Sequence, residues 1–224
     1  PGVAASVSIY RLTGNGLQQI KNVPLGALLK AIAFDSIGHA WVVSTDISIP
    51  FYTDIKGNES DVLVGNSKVF QLDSNGNIIN SYDGGGISGP WGLAIDGNDQ
   101  VWIGNFEIEN LPTKFSVSHL CGNQPATCPP GLNTGDPISP PIGYTLPSAG
   151  SQVLLANGQP LNGPNGPPSF EPLMRQTFVA IDAAGNVWVT NNWKPNPLAA
   201  STFNPGGDGV VAFVGMASPP QNTA

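Results

Sequence analysis

"FVAIDAAGNVWVTNN", Phe178 to Asn192, reads as a strand, a tight turn and a second strand, and it has two earlier near-copies: "AIAFDSIGHAWVVST" from Ala31 and "WGLAIDGNDQVWIGN" from Trp91. Aligned on Asp35, Asp96 and Asp182, all three carry an alanine two residues earlier (Ala33, Ala94, Ala180) and a tryptophan six residues later (Trp41, Trp102, Trp188). An apolar residue follows each tryptophan: Val42, Ile103 and Val189. The flanking segments are rich in β-branched, aromatic and small residues, which suit strands. The aspartate can bond its own turn backbone, and the glycine tolerates positive φ. The second copy, "DGNDQ", moves its glycine to another turn position. Each copy is expected to be a β-hairpin whose apolar runs are buried on both faces. The tryptophans are expected in the core, and the alanine column where backbones crowd together.

A second repeat interleaves with the first. "IYRLTGNG" (Ile9 to Gly16) matches "VFQLDSNG" (Val69 to Gly76) without a gap, and both end on Asn-Gly, a strong hairpin-turn signal. "VLLANGQPL" (Val153 to Leu161) is a weaker relative, and "GVVAFVG" (Gly209 to Gly215) resembles its first strand alone. Outer-type and inner-type hairpins therefore alternate along the chain. Asp35 and Asp96 are 61 residues apart and Leu12 and Leu72 are 60 apart, so the two series share one period. Two hairpins per period make four strands, the content of one β-propeller blade. The expectation is an all-β chain, 1–224 as a single domain, holding about three and a half four-stranded blades. A ring needs at least about four blades, so these are expected to belong to a larger or assembled ring.

"GPWGLAIDGNDQVWIGN" and "FVAIDAAGNVWVTNN" resemble blade segments of NHL-repeat propellers and are similar to those of the streptogramin lyase (virginiamycin B lyase) type. The resemblance covers most strand segments but not the long loops. It implies a propeller and leaves the activity open, because that fold hosts binders, scaffolds, lyases and lactonases.

Composition narrows the partners. Gly 28 and Pro 22 with only 10% charged residues favour short strands and turns over helices. A formal net charge of −7 and eight scattered basic residues argue against nucleic acid. No apolar run reaches the ~18–20 residues that a bilayer-spanning helix needs, and no cationic amphipathic stretch suggests a membrane surface. Cys121 and Cys128, in "CGNQPATC", lack histidine ligands nearby and read as a small disulfide loop. A disulfide points to an extracellular or periplasmic protein.

In a four-stranded blade the links from inner to outer hairpin share one face of the disc. Here those links are expected to be long insertions at 45–66, 106–150 and 192–208. Long loops on a rigid scaffold are where binding residues gather, and Tyr52, Phe106, Trp193 and Lys194 are the partner-contact candidates. Asp35, Asp96 and Asp182 are assigned to turn chemistry, His39 to a solvated turn and His119 to a loop. An acidic cluster of Asp54, Glu59 and Asp61 reads as a solvated loop. Neither a Ser-His-Asp arrangement nor a phosphate-binding glycine loop can be drawn. No catalytic residue and no cofactor is predicted. The reading is a secreted, non-enzymatic propeller that binds or assembles with a protein or polymer partner, further copies of itself included. The alternative, implied by the resemblance, is a lyase or lactonase. It would hold a divalent cation, Ca²⁺ or Mg²⁺, at the channel through Asn105 and Asn191, with His119 nearby.

Overall fold

The computed structural model describes residues 5–26, 28–45, 67–106, 115–146, 172–173, 175–191 and 209–220, and the backbone of 52–53 and 59–60. Among them there is no α-helix, only a short 3₁₀ turn at Pro125–Thr127. Strands β1 (Ala5–Thr13) and β2 (Gly16–Gly26) form a hairpin, as expected from the Asn-Gly turn. β3 (Leu28–Phe34) and β4 (Ala40–Thr45) are the first repeat hairpin. After the small pair β5 (Tyr52–Thr53) and β6 (Glu59–Ser60), β7 (Lys68–Leu72) and β8 (Ile78–Tyr82) join them, giving a four-stranded antiparallel sheet in the order β3-β4-β7-β8. The second sheet runs in the order β9 (Pro90–Ile95), β10 (Val101–Asn105), β11 (Ser116–Leu120), β12 (Tyr144–Thr145). The third has β13 (Gln176–Ile181), β14 (Val187–Asn191) and β15 (Val210–Phe213).

The repeat exists because one aspartate holds both the turn and the tryptophan. Asp35 Oδ1 accepts the backbone N–H of Ile37 and His39, while Oδ2 accepts the Trp41 indole N–H at 3.1 Å. Asp96 does the same for Asn98, Gln100 and Trp102, and Asp182 for Ala184, Asn186 and Trp188. Asp73 closes the outer turn through Asn75 and Asn77. The residue three after each repeat aspartate is left-handed: Gly38 at φ 84°, Gly185 at φ 78°, and in the second copy Asp99 at φ 58°. Moving the glycine did not move the turn. Asp99 tolerates the strained position and uses its carboxylate elsewhere, accepting the Ser36 N–H at 2.8 Å and its hydroxyl at 2.6 Å from the first turn.

Each sheet packs face to face on the next. Trp41, Val43 and Val69 of the first sheet meet Leu93, Val101, Ile103 and Leu120 of the second. The opposite face of the second sheet, with Trp102 and Val117, meets Val179, Val187 and Val189 of the third. The β1–β2 hairpin places Val23 and Leu25 on Ala40, Val42 and Leu72, the back of the first sheet. The crowding expected near the alanine column falls at Gly92, two residues before Ala94. A Cβ there would meet the Phe178 backbone at 3.0 Å.

Three expectations need correction. The stretch 106–150 is not one long loop: β11 lies inside it and pairs with β10. "SVSHL" carries too many polar residues to read as a buried strand, yet it is buried throughout, because those polar groups are bonded within the sheet. His119 is therefore a strand residue. Trp188 is on the surface, because no sheet covers its face among the described residues. His39 is not simply solvated, since its ring faces Gln71 at 3.2 Å. The Val153–Leu161 segment and the Asp54 and Asp61 part of the acidic cluster lie outside the described residues.

Candidate functional site

The sheets' second strands, β4, β10 and β14, end on the same side as their first strands begin, and the links that follow them leave from that side, whereas the long link between β11 and β12, which holds the disulfide loop, leaves from the opposite end. At the end where the first strands begin, Lys30, on β3, places its ammonium 3.8 Å from the centre of the Trp91 ring. Trp91, on β9, packs on Phe106 with ring centroids 4.4 Å apart. Arg175, just before β13, lies 5.5 Å from the Phe106 ring. A row of cation, two aromatic rings and cation thus bridges the three sheets, in a chain with eight basic residues in all. Cation–π contacts of this kind stabilise by about 0.5–2 kcal/mol. Partial burial lowers the Lys30 ammonium below its ordinary value.

Asn105 and Asn191 close the same end of β10 and β14. Asn105 Oδ1 accepts the Ser88 N–H at 3.0 Å, and its amide donates to Ser116 O and Ser118 Oγ. Asn191 Oδ1 accepts the Leu173 N–H at 3.1 Å. In the first copy Thr45 donates its hydroxyl to the Pro90 carbonyl. These residues tie the start of one strand to the end of the next, and their amide oxygens are engaged. Among the described residues no group of three or more His, Cys, Asp and Glu is placed to hold a metal ion.

Of the partner-contact candidates, Phe106 is buried under Trp91 and Arg175, so it supports this end more than it presents a contact. Tyr52 stands in β5, and only its backbone is described. Trp193 and Lys194 lie outside the described residues. Cys121 and Cys128 are disulfide-bonded, as read from the sequence. The loop they close presses on the short-turn end: Gln124 donates to the Asp99 carboxylate at 2.8 Å, and Thr127 donates to Asn98 O. Both described histidines face glutamines, His39 with Gln71 and His119 with Gln100. Burial drives the His119 imidazole down to about 3, so it is neutral at ordinary pH and no proton shuttle.

Sequence reasoning missed Lys30, Trp91 and Arg175. The one signal was Lys30 itself, a lone charge inside an apolar strand. It also missed the outward face of the third sheet. There Phe178 stands where the first two sheets carry Ala31 and Gly92, and Trp188 where they bury Trp41 and Trp102. Val210 continues that face from β15, whose far edge has no strand beside it among the described residues.

Among the described residues, fold and site define an almost entirely β protein of successive antiparallel sheets, with one apolar sheet face left open. Comparison with known proteins adds no relative: no family model and no curated protein matches the chain.

Proposed function

We propose that the three sheets are blades of a β-propeller of the NHL-repeat or streptogramin-lyase kind, and that the protein is secreted and works by binding or assembling. The partner is a protein or polymer engaged through the open blade face and the long-link end. The observation that carries this reading is the exposed apolar face of the third sheet, with Phe178 58%, Trp188 41% and Val210 56% exposed. Contiguous exposed apolar surface of this kind marks interaction sites, and a strand edge that is open among the described residues, as that of β15 is, invites a further strand. The disulfide supports an oxidising compartment. A cation-dependent lyase or lactonase finds less support, because the amide oxygens it would use at Asn105 and Asn191 already accept backbone N–H bonds.

The test compares the wild-type chain with Trp188→Asp, each checked for fold by circular dichroism. Sedimentation is run on each protein alone and after exposure to the medium in which it is made. The wild type is expected either to sediment above the mass of one chain or to retain a partner that Trp188→Asp loses. A wild type that stays single, and that retains no partner which Trp188→Asp fails to retain, sinks the reading.

A further inference from the structure

We infer that the open face of the third sheet seats the first sheet of a second copy of this chain, head to tail. This rests on the reading of the open face as an interface and names its partner.

Both internal joints have one form. The tryptophan face of one sheet takes two apolar residues from the inner strand of the next. Leu93 and Ile95 of β9 pack on the Trp41 face. Val179 and Ile181 of β13 pack on the Trp102 face. The register of the hairpins makes Ile32 and Phe34 of β3 the equivalents of those pairs. In the first sheet these two have no tryptophan face to cover them among the described residues and are 47% and 64% exposed. The β1–β2 hairpin covers the neighbouring Ala40, Val42 and Leu72 and reaches Leu29 of β3, but leaves Ile32 and Phe34 exposed. The chain therefore carries both halves of one more joint, a Trp188 face at one end and an Ile32–Phe34 pair at the other. Faces of different kind that complement each other make a heterologous contact, which closes into a ring or continues as a chain of copies. Two copies joined at both ends would hold six such sheets, within the range of propeller rings.

Phe178 sets this joint apart. At the internal joint the small residue Gly92 lets β9 approach β13 so closely that an added Cβ would lie 3.0 Å from the Phe178 backbone. A phenyl ring at the same register position holds the incoming strand off. The joint between copies is accordingly weaker than the internal ones, and association is reversible.

The test is light scattering after gel filtration at about 100 μM, where micromolar affinity is visible. The wild type is expected at the mass of two or more chains. Val210→Asp, Trp188→Asp and Phe34→Asp should each run as single chains with unchanged circular dichroism. Val210 is an exposed residue at the end of an edge strand, so its variant guards against loss of fold. An equal mixture of Val210→Asp and Phe34→Asp should return a two-chain particle, because each brings the half that the other lacks. Phe178→Gly should tighten association about tenfold. A single-chain wild type overturns this inference and self-assembly with it. An assembling wild type that Phe34→Asp leaves intact, or a mixture that stays single, overturns the head-to-tail joint while leaving the open face as an interface.

Discussion

His119 lies flat on Trp102, ring centroids 3.7 Å apart, and the two residues face each other across β10 and β11. Its Nε2 donates to Gln100 Oε1 at 2.9 Å. The first sheet has the same pair with its members exchanged. Gln71 stands opposite Trp41, and its amide meets Nδ1 of His39, which occupies the turn position of Gln100. Tyr82 and Tyr144 sit at equivalent places on the fourth strands. Both sheets thus solve one problem, a polar strand residue beside a buried indole, with one histidine and one glutamine.

If the pair is interchangeable, Gln100→His with His119→Gln should rebuild the arrangement of the first sheet. Each single variant leaves two like groups facing each other inside the protein and should cost about 1–3 kcal/mol, the penalty of a buried polar group without its bond. The double variant should recover at least about 1 kcal/mol of the summed loss. A double-mutant cycle by urea unfolding measures that coupling, and a purely additive cycle would show that the exchange carries no meaning.

The same histidine makes stability depend on pH. Burial lowers its folded value from 6.5 to about 3, so the unfolded chain binds the extra proton first. The stabilisation is complete above pH 6.5 and is lost as pH falls from there toward 3. From about pH 8 to pH 5 the loss is about 2 kcal/mol. His119→Gln should flatten this part of the profile. The half-buried turn carboxylates Asp73 and Asp182, both lowered by hydrogen bonds from their own turns, lose their share only below the ordinary carboxylate range, so the two windows separate.

The strands and turns of the inner hairpins were legible because each copy contains the full set of atoms that closes it, from aspartate to indole six residues on. β11 was not, because its burial is decided by partners far along the chain. Asn105 bonds Ser118, and Ser139 accepts the His119 N–H. A run such as "SVSHL" looks solvated until those partners are in place. The Lys30–Trp91–Phe106–Arg175 row was hidden for a similar reason, since its members come from three sheets and no spacing in sequence joins them. The exposure of Trp188 was equally invisible, because the repeat gives it the same local setting as Trp41 and Trp102.

That difference in setting gives unequal penalties for one substitution. Asp96→Ala strips a buried indole and three backbone N–H groups, of Asn98, Gln100 and Ser218, of their acceptor. It should cost about 3–5 kcal/mol, as when a buried charged partner is removed. Asp182→Ala breaks the same bonds around Trp188, but water reaches that ring and can replace them. Its loss should be clearly smaller. Equal midpoint shifts in guanidinium for the two variants would mean that burial of the indole does not govern the turn.

Asp99 joins two turns and the disulfide loop, and its backbone and side chain make opposing demands. At φ 58° a glycine would relieve the strain, but only a carboxylate can hold Ser36 and Gln124. Asp99→Ala keeps the strain and loses the bonds, and should cost about 2–4 kcal/mol. Asp99→Gly should cost about 1 kcal/mol less, the usual gain of glycine in a left-handed position. Reducing the Cys121–Cys128 bridge, which closes a loop of sequence separation 7, should remove about 2.5 kcal/mol by loop-closure entropy. Because Gln124 then no longer holds Asp99 in place, the two losses should overlap. Reduction of the Asp99→Ala protein should cost less than reduction of the wild type, measured by urea unfolding with and without dithiothreitol. Equal costs would mean that the loop stabilises only itself and braces no turn.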